Sequence, residues 1–284
     1  MSTEKLTAKR HMAVILSVIM ITGLCSCTAD QAPPPGASYA SSRQAGLENP
    51  LNSRPGGAAD GERQSFLEII EEKRAINSDT VGYLRVPGTT VDDVVLWYPD
   101  DPNEFYLRRN FNKDYQKEGC YYADFRCSFE GGAEGLSRNT VIYGHSLDLY
   151  DDPEAPYFSQ LKKFLDEDFA RATPYIRFSV GEEDLVWEVF AVYYATTDLY
   201  YNTPDPVNSE FAALLTEMTK RSEYIYDVDV TAADKILTLS TCTYVFNQEY
   251  PNKYRYVVAA RLAGSDEPLK DAASLEKNPY PKDP

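Results

Sequence analysis

Histidine is almost missing from this chain, with two residues in 284, His11 and His145. His11 adjoins an N-terminal apolar run, so any imidazole chemistry in a folded domain falls to His145. Basic residues are also short, 28 Lys and Arg against 44 Asp and Glu, a formal net charge of -16. A nucleic-acid partner draws on clustered Lys and Arg, so that class is excluded. The acidic balance reads as solubility in an exposed compartment. Cysteine is limited to Cys25, Cys27, Cys120, Cys127 and Cys242. Their spacing fits neither a disulfide framework nor a zinc site, which would need more Cys or His at CxxC or HxxxH spacing. Cys120 and Cys127 flank a Tyr-rich stretch with no Gly or Pro to reverse the chain. They are expected as small buried hydrophobes rather than as a bridge. No acidic cluster has calcium-loop spacing.

Long apolar runs are also lacking, apart from one. Lys5, Lys9, Arg10 and His11 precede an uncharged stretch from Met12 to Ala29. A basic flank followed by an apolar core is a membrane-targeting signal that leaves the N-terminus inside and the bulk of the chain outside. Its strongly apolar part, Met12 to Leu24, is short for a spanning helix and suits a signal-peptide core. Leu24-Cys25-Ser26-Cys27 loosely resembles a bacterial lipobox. A retained anchor, a cleaved signal and lipidation at Cys25 or Cys27 all stay open. Residues 30–61 hold Pro33-Pro34-Pro35, Gly56-Gly57 and many Ala and Ser, and read as a flexible linker. The expected division is a cytoplasmic basic segment at 1–11, an anchor or signal at 12–29, the linker, a folded domain at 62–265 and a frayed polar tail at 266–284.

What is present is 43% hydrophobic residues and 22 Tyr, enough for one well-packed domain. Phe66, Ile69, Ile70 and Ile76 follow helical spacing. Strands are read at 81–86, 91–97, 119–124, 140–143, 175–180, 185–195, 235–240 and 255–262. Eight strands with such irregular connections predict a mainly β, closed or nearly closed barrel rather than a βαβ array. An N-terminal helix and peripheral helices at 159–169 and 208–222 complete the fold. The stripe Phe211, Leu214, Leu215 and Met218 reads as packing onto the barrel.

Three positions carry the chemistry. Cys242 ends the apolar strand Ile236-Leu237-Thr238-Leu239-Ser240-Thr241, where a thiol can face a cleft. A lone Cys is more often structural. Arg255 opens the next strand, and if the two strands pair as a hairpin it lies beside Cys242. A guanidinium there could stabilise a thiolate and an oxyanion. His145 follows Thr140-Val141-Ile142-Tyr143-Gly144, and the Gly allows a turn that presents the imidazole at a strand end.

Val141-Ile142-Tyr143-Gly144-His145, Thr238-Leu239-Ser240-Thr241-Cys242 and Arg255-Tyr256-Val257-Val258 resemble, in order, the three signature segments of the sortase family. Asp79 to Leu84, Val86-Pro87-Gly88-Thr89, Phe105-Tyr106-Leu107 and Gly119 to Asp124 also match in position and kind. The N-terminal helix and the long helix-bearing insertion between Tyr194 and Asp234 look like class B, as does an N-terminal anchor without a C-terminal one. The chain departs in having Thr243-Tyr244 after the Cys, where class B members often carry an acidic residue.

The resemblance implies a cysteine transpeptidase at the extracellular face of the bacterial plasma membrane. Its substrates would be surface proteins with a C-terminal sorting signal of the LPxTG or NPxTx kind, and its acceptor a peptidoglycan-precursor amine. Cys242 would be nucleophile, His145 acid/base and Arg255 oxyanion partner, with Tyr143, Ser240 and Thr241 as groove wall and no metal or cofactor. A secreted cysteine protease or other acyl hydrolase with the same Cys-His pair is the first alternative. A non-enzymatic β-barrel binding module with an inert Cys242 is the second.

Overall fold

The computed structural model describes residues 64–102, 105–246 and 253–284. The basic segment, the anchor or signal and the linker expected at 1–61 lie outside these residues, as do Cys25 and Cys27. Among the described residues no helix is long and apolar enough to cross a membrane.

Helix α1 (Phe66–Ile76) starts where Ser65 and Glu68 form a reciprocal capping box, with Glu68 N donating to Ser65 Oγ at 3.2 Å and Ser65 N to Glu68 Oε2 at 2.8 Å. Such a cap contributes about 1 kcal/mol. The helix ends at Asn77, whose side-chain amide donates to the Tyr106 hydroxyl and to the Phe111 carbonyl. Its apolar side packs with Tyr83, Val94 and Leu96 on the outside of the barrel.

The barrel strands are β1 (Thr80–Arg85), β2 (Asp92–Leu96), β3 (Tyr121–Ala123), β4 (Asn139–Tyr143), β5 (Tyr175–Val180), β6 (Val186–Thr196), β8 (Ile236–Cys242) and β9 (Tyr254–Leu262). They close in the order β1-β2-β3-β4-β8-β9-β6-β5. The eight-stranded closed barrel read from the sequence is therefore present. Pairing is antiparallel except at β2–β3 and β4–β8. Alternation along the strands sorts the side chains into two layers. Leu237, Leu239, Tyr256, Val258 and Trp187 fill the interior. Ile236, Val257, Ala259 and Tyr193 point outward and are covered by Phe211, Leu215 and Met218 of the helix Asn208–Arg221.

Two expectations are corrected. The helix read at 159–169 is an eight-residue 3-10 helix, Phe158–Leu165, followed by a separate α-helix, α3 (Glu167–Ala172), capped by Asp166; α2 is the single turn Gly132–Gly135. The tail from 266 is not frayed. Leu275–Lys277 forms a strand, β10, antiparallel to β7 (Tyr224–Tyr226), and both Ala273 and Leu275 are buried. Its backbone donates from Ala273 to Arg171, from Asn278 to Glu223 and from Lys282 to Lys220. Four prolines gave the tail a disordered look, but its bonding partners come from distant sequence. In agreement with the reading of Cys120 and Cys127, both are free thiols, Cys127 buried and Cys120 half-buried.

Candidate active site

Two strand pairings assemble the site. β8 runs antiparallel to β9 with Cys242 opposite Arg255. The Thr243 amide donates to the Tyr254 carbonyl at 3.3 Å, which makes 243 and 254 a hydrogen-bonded pair. Cys242 and Arg255 are then a non-hydrogen-bonded pair, the kind whose side chains stand closest on one face. β8 also runs parallel to β4, with Tyr143 opposite Ser240 and the Gly144 amide donating to the Ser240 carbonyl at 3.3 Å. Beyond that pair the chain turns at Gly144-His145, next to the end of β8 that carries Cys242, with the Gly144 carbonyl accepting from Thr241 Oγ1. Three segments far apart in sequence thus converge at one end of the barrel.

Gly144 is required by packing. A Cβ there would lie 2.7 Å from the Phe158 ring and 3.0 Å from that of Tyr121. The chain can therefore leave β4 tightly and present the imidazole. Nε2 of His145 lies 2.7 Å from the Leu107 carbonyl. A carbonyl only accepts, so Nε2 carries the proton, and Nδ1 is left for acid/base work. Leu107 belongs to the short 3-10 turn Tyr106–Arg108, which gives that segment a role in fixing the tautomer.

Cys242, His145 and Arg255 are 4%, 7% and 6% exposed. A thioester formed in so sheltered a place meets little water. The Arg255 guanidinium donates to its neighbour's carbonyl on Tyr254 at 2.9 Å, which anchors the side chain at the strand start.

The three residues read as groove wall separate. Tyr143 and Ser240 share the outward face with Cys242. Ser240 Oγ lies 2.8 Å from the Tyr201 hydroxyl, and the Tyr143 hydroxyl accepts from Asn202 at 3.0 Å and donates to Asp124 at 2.8 Å. Both are tied to the loop between β6 and the helix Asn208–Arg221, hereafter α4. Burial holds the Tyr143 phenol well above the usual range, with the Asp124 carboxylate adding to it. Thr241 projects from the opposite face, and its hydroxyl donates to the Gly144 carbonyl at 2.8 Å. Alternation along a strand rules it out of a wall beside Cys242. It ties β8 to the turn that carries His145.

Sequence reasoning missed one group. Lys162, on the 3-10 helix, and Asp151, in the loop after His145, form an ion pair at 3.2 Å whose side chains are 0% and 5% exposed. The Lys162 ammonium also donates to the Cys242 carbonyl at 3.2 Å and to Ser146 Oγ at 2.6 Å. Asp151 accepts from Thr243 Oγ1 at 2.7 Å and from the Tyr194 hydroxyl at 3.1 Å. Burial lowers the Lys162 pKa, and the Asp151 charge opposes that shift. Phe158, Leu161 and Phe164, three apart, mark a 3-10 ridge, but Lys162 lies one residue off that ridge and carries no such signal.

Comparison with known proteins bears on the family and the fold. The sortase domain profile matches residues 84–263. Sortase B of Listeria monocytogenes is 33% identical over 194 residues, covering 68% of this chain and 73% of that protein. Sortase B of Staphylococcus aureus is 29% identical over the same length, covering 68% and 74%. Among solved structures, a Staphylococcus aureus sortase B-substrate complex superposes with a TM-score of 0.60 at 27% identity, covering 71% of this chain and 87% of that one.

Proposed function

Since this chain belongs to the sortase family, as a class B-like transpeptidase, we propose that Cys242 is its nucleophile, His145 its acid/base and Arg255 its oxyanion partner. The observation that carries this is the double register of β8, with Arg255 opposite Cys242 on one side and the Gly144-His145 turn on the other.

The Cys242 thiolate attacks the carbonyl carbon of the Thr in a C-terminal sorting signal. A C–S bond forms, and the carbonyl oxygen takes the negative charge, which the Arg255 guanidinium stabilises. The C–N bond to the following residue then breaks. His145, as imidazolium, gives its Nδ1 proton to the departing amine, while Nε2 stays bonded to Leu107. A thioester is left on Cys242. An incoming amine attacks it, its proton passes to His145 Nδ1, and the C–S bond breaks to release the new amide and the thiolate. The first half of this cycle cleaves a peptide bond, and the amine acceptor makes the second half a transfer. A signal of LPxTG or NPxTx kind and a peptidoglycan-precursor amine follow from the family. Tyr143 and Ser240, beside Cys242 on the outward face, would line the signal's path. The basic-then-apolar N-terminus and the linker at 30–61 support a catalytic domain tethered to the extracellular face of the plasma membrane.

The test is intact mass after mixing the full chain with peptides of both signal kinds, for wild type and Cys242→Ala. The expected result is a peptide adduct on wild type only, resolved faster when an amine is added. Resolution by water alone, with no acceleration by amine, would support a hydrolase. No adduct with any peptide, together with a Cys242 that resists alkylation, would sink the enzyme assignment.

A further inference from the structure

A buried ammonium is costly to desolvate, several kcal/mol even after relaxation. Its placement answers a specific gap in the sheet. In the parallel β4–β8 ladder the Gly144 amide serves the Ser240 carbonyl. The next rung would bring the amide of residue 146 to the Cys242 carbonyl. The chain has already turned away at Gly144-His145 to present the imidazole. Cys242 pairs with Arg255 as a non-hydrogen-bonded pair, so its carbonyl points away from β9 and toward that missing rung. The Lys162 ammonium occupies the place of the absent amide, 3.2 Å from the Cys242 carbonyl, and reaches Ser146 Oγ at 2.6 Å with a second N–H.

We propose that Lys162 is a positioning residue of the transpeptidation site, a side-chain substitute for a backbone rung that locks the strand end bearing Cys242 to the turn bearing His145. Asp151 is the counter-charge that keeps the ammonium in place. It is itself held by Thr243, next to the nucleophile, and by Tyr194 on β6. Asp151 sits at φ 57°, a left-handed conformation that Asp adopts more readily than most residues. The loop after His145, the segment after Cys242 and the 3-10 helix are thereby drawn onto one charge pair. The charged or titratable groups that face the ammonium are Asp151 and Asp148 from that loop and Cys242 from β8, with Arg255 opposite Cys242 on β9. A cation fixed beside the nucleophile's own backbone also favours the thiolate.

This assignment rests on the transpeptidase reading, and its test separates the two. Lys162→Met and the double variant Lys162→Met/Asp151→Asn would be made in the full chain. The double variant removes both buried charges and so spares the fold an unpaired carboxylate. Three quantities are read: Tm, the kinetics of acyl-enzyme formation with sorting-signal peptides, and the pH profile of Cys242 alkylation by iodoacetamide, followed on the peptide containing it. Lys162→Met should lower kcat on the order of 10- to 100-fold with KM changed by less than about threefold, the signature of lost alignment. Its alkylation midpoint should move to higher pH. The double variant should recover the lost Tm but not the lost rate. Recovery of rate along with Tm would make the pair purely structural and overturn the proposal. So would an unmoved rate and midpoint in either folded variant. If the wild-type chain forms no acyl-enzyme with any peptide, the transpeptidase reading fails, while the alkylation profiles still judge Lys162.

Discussion

At the scale of single residues, the site is built from groups whose neighbours leave them one job each. The Leu107 carbonyl takes Nε2 of His145. Strand pairing fixes Arg255 across from Cys242. Asp124 shows the same economy behind the groove. Burial alone would raise its pKa, but the hydrogen bonds and charge of Arg126 outweigh that, and the carboxyl is held below the usual range. A carboxyl whose folded pKa is depressed adds stability above its unfolded pKa, and that stability is lost as pH falls through the folded value. Asp124→Asn should therefore cost about 1–3 kcal/mol at neutral pH. The gap between wild type and variant should close as pH falls through the acidic range, which Tm measured from pH 7 downward would show. The placing of Arg255 beside Cys242 could be read from sequence because strand ends are legible there, while the roles of both and of His145 came from the resemblance to the sortase family. The placing of Lys162 could not. A lysine in Leu161-Lys162-Lys163-Phe164 reads as a solvent-facing residue, and its burial depends on which kind of helix the tertiary packing selects.

At the scale of elements, the eight barrel strands were legible because each carries an apolar run or alternation bounded by turn residues. β7 and β10 were not, since each is three residues with a polar or exposed member and, unlike the all-buried Tyr121–Ala123 of β3, sits in no longer apolar run. The helix at 159–169 was misread for a related reason. Leu161, Phe164, Leu165 and Phe169 fit an α-helical stripe, but Phe158, Leu161 and Phe164 are the fully buried ridge, and their spacing of three belongs to a 3-10 helix. The tail's polar composition hid its two anchors, Ala273 and Leu275, both buried. Because Leu275 packs into the same core as Tyr224 and Tyr226, Leu275→Asp should destabilise the domain by about 2–4 kcal/mol through lost burial and an unpaired charge. Urea unfolding followed by fluorescence would measure it. A wild-type midpoint would mean that β10 adds nothing to stability.

At the scale of the whole molecule, the core clusters found among the described residues run from Phe66 to Leu275. Residues 64–284 should therefore fold alone, with the full chain's Tm to within a few degrees and its activity on soluble peptides. The full chain, carrying its basic and apolar N-terminus, should sediment with membranes while 64–284 stays in the supernatant. Loss of folding in 64–284 would show that the N-terminal segment is part of the domain. The tail's grip on α4 has a further consequence, in time rather than in space. The Lys282 amide bonds to the Lys220 carbonyl, and its ammonium to Glu217 at 2.6 Å, so the last turn of α4 and the chain end are fastened together. The other end of α4 continues the loop that touches Tyr143 and Ser240. Amide protons of Leu275–Lys277 and of the last turn of α4 should trade with deuterium at one common rate, faster than those of β8 and β9. A peptide seated beside Cys242 would slow that clock at the far end of the chain.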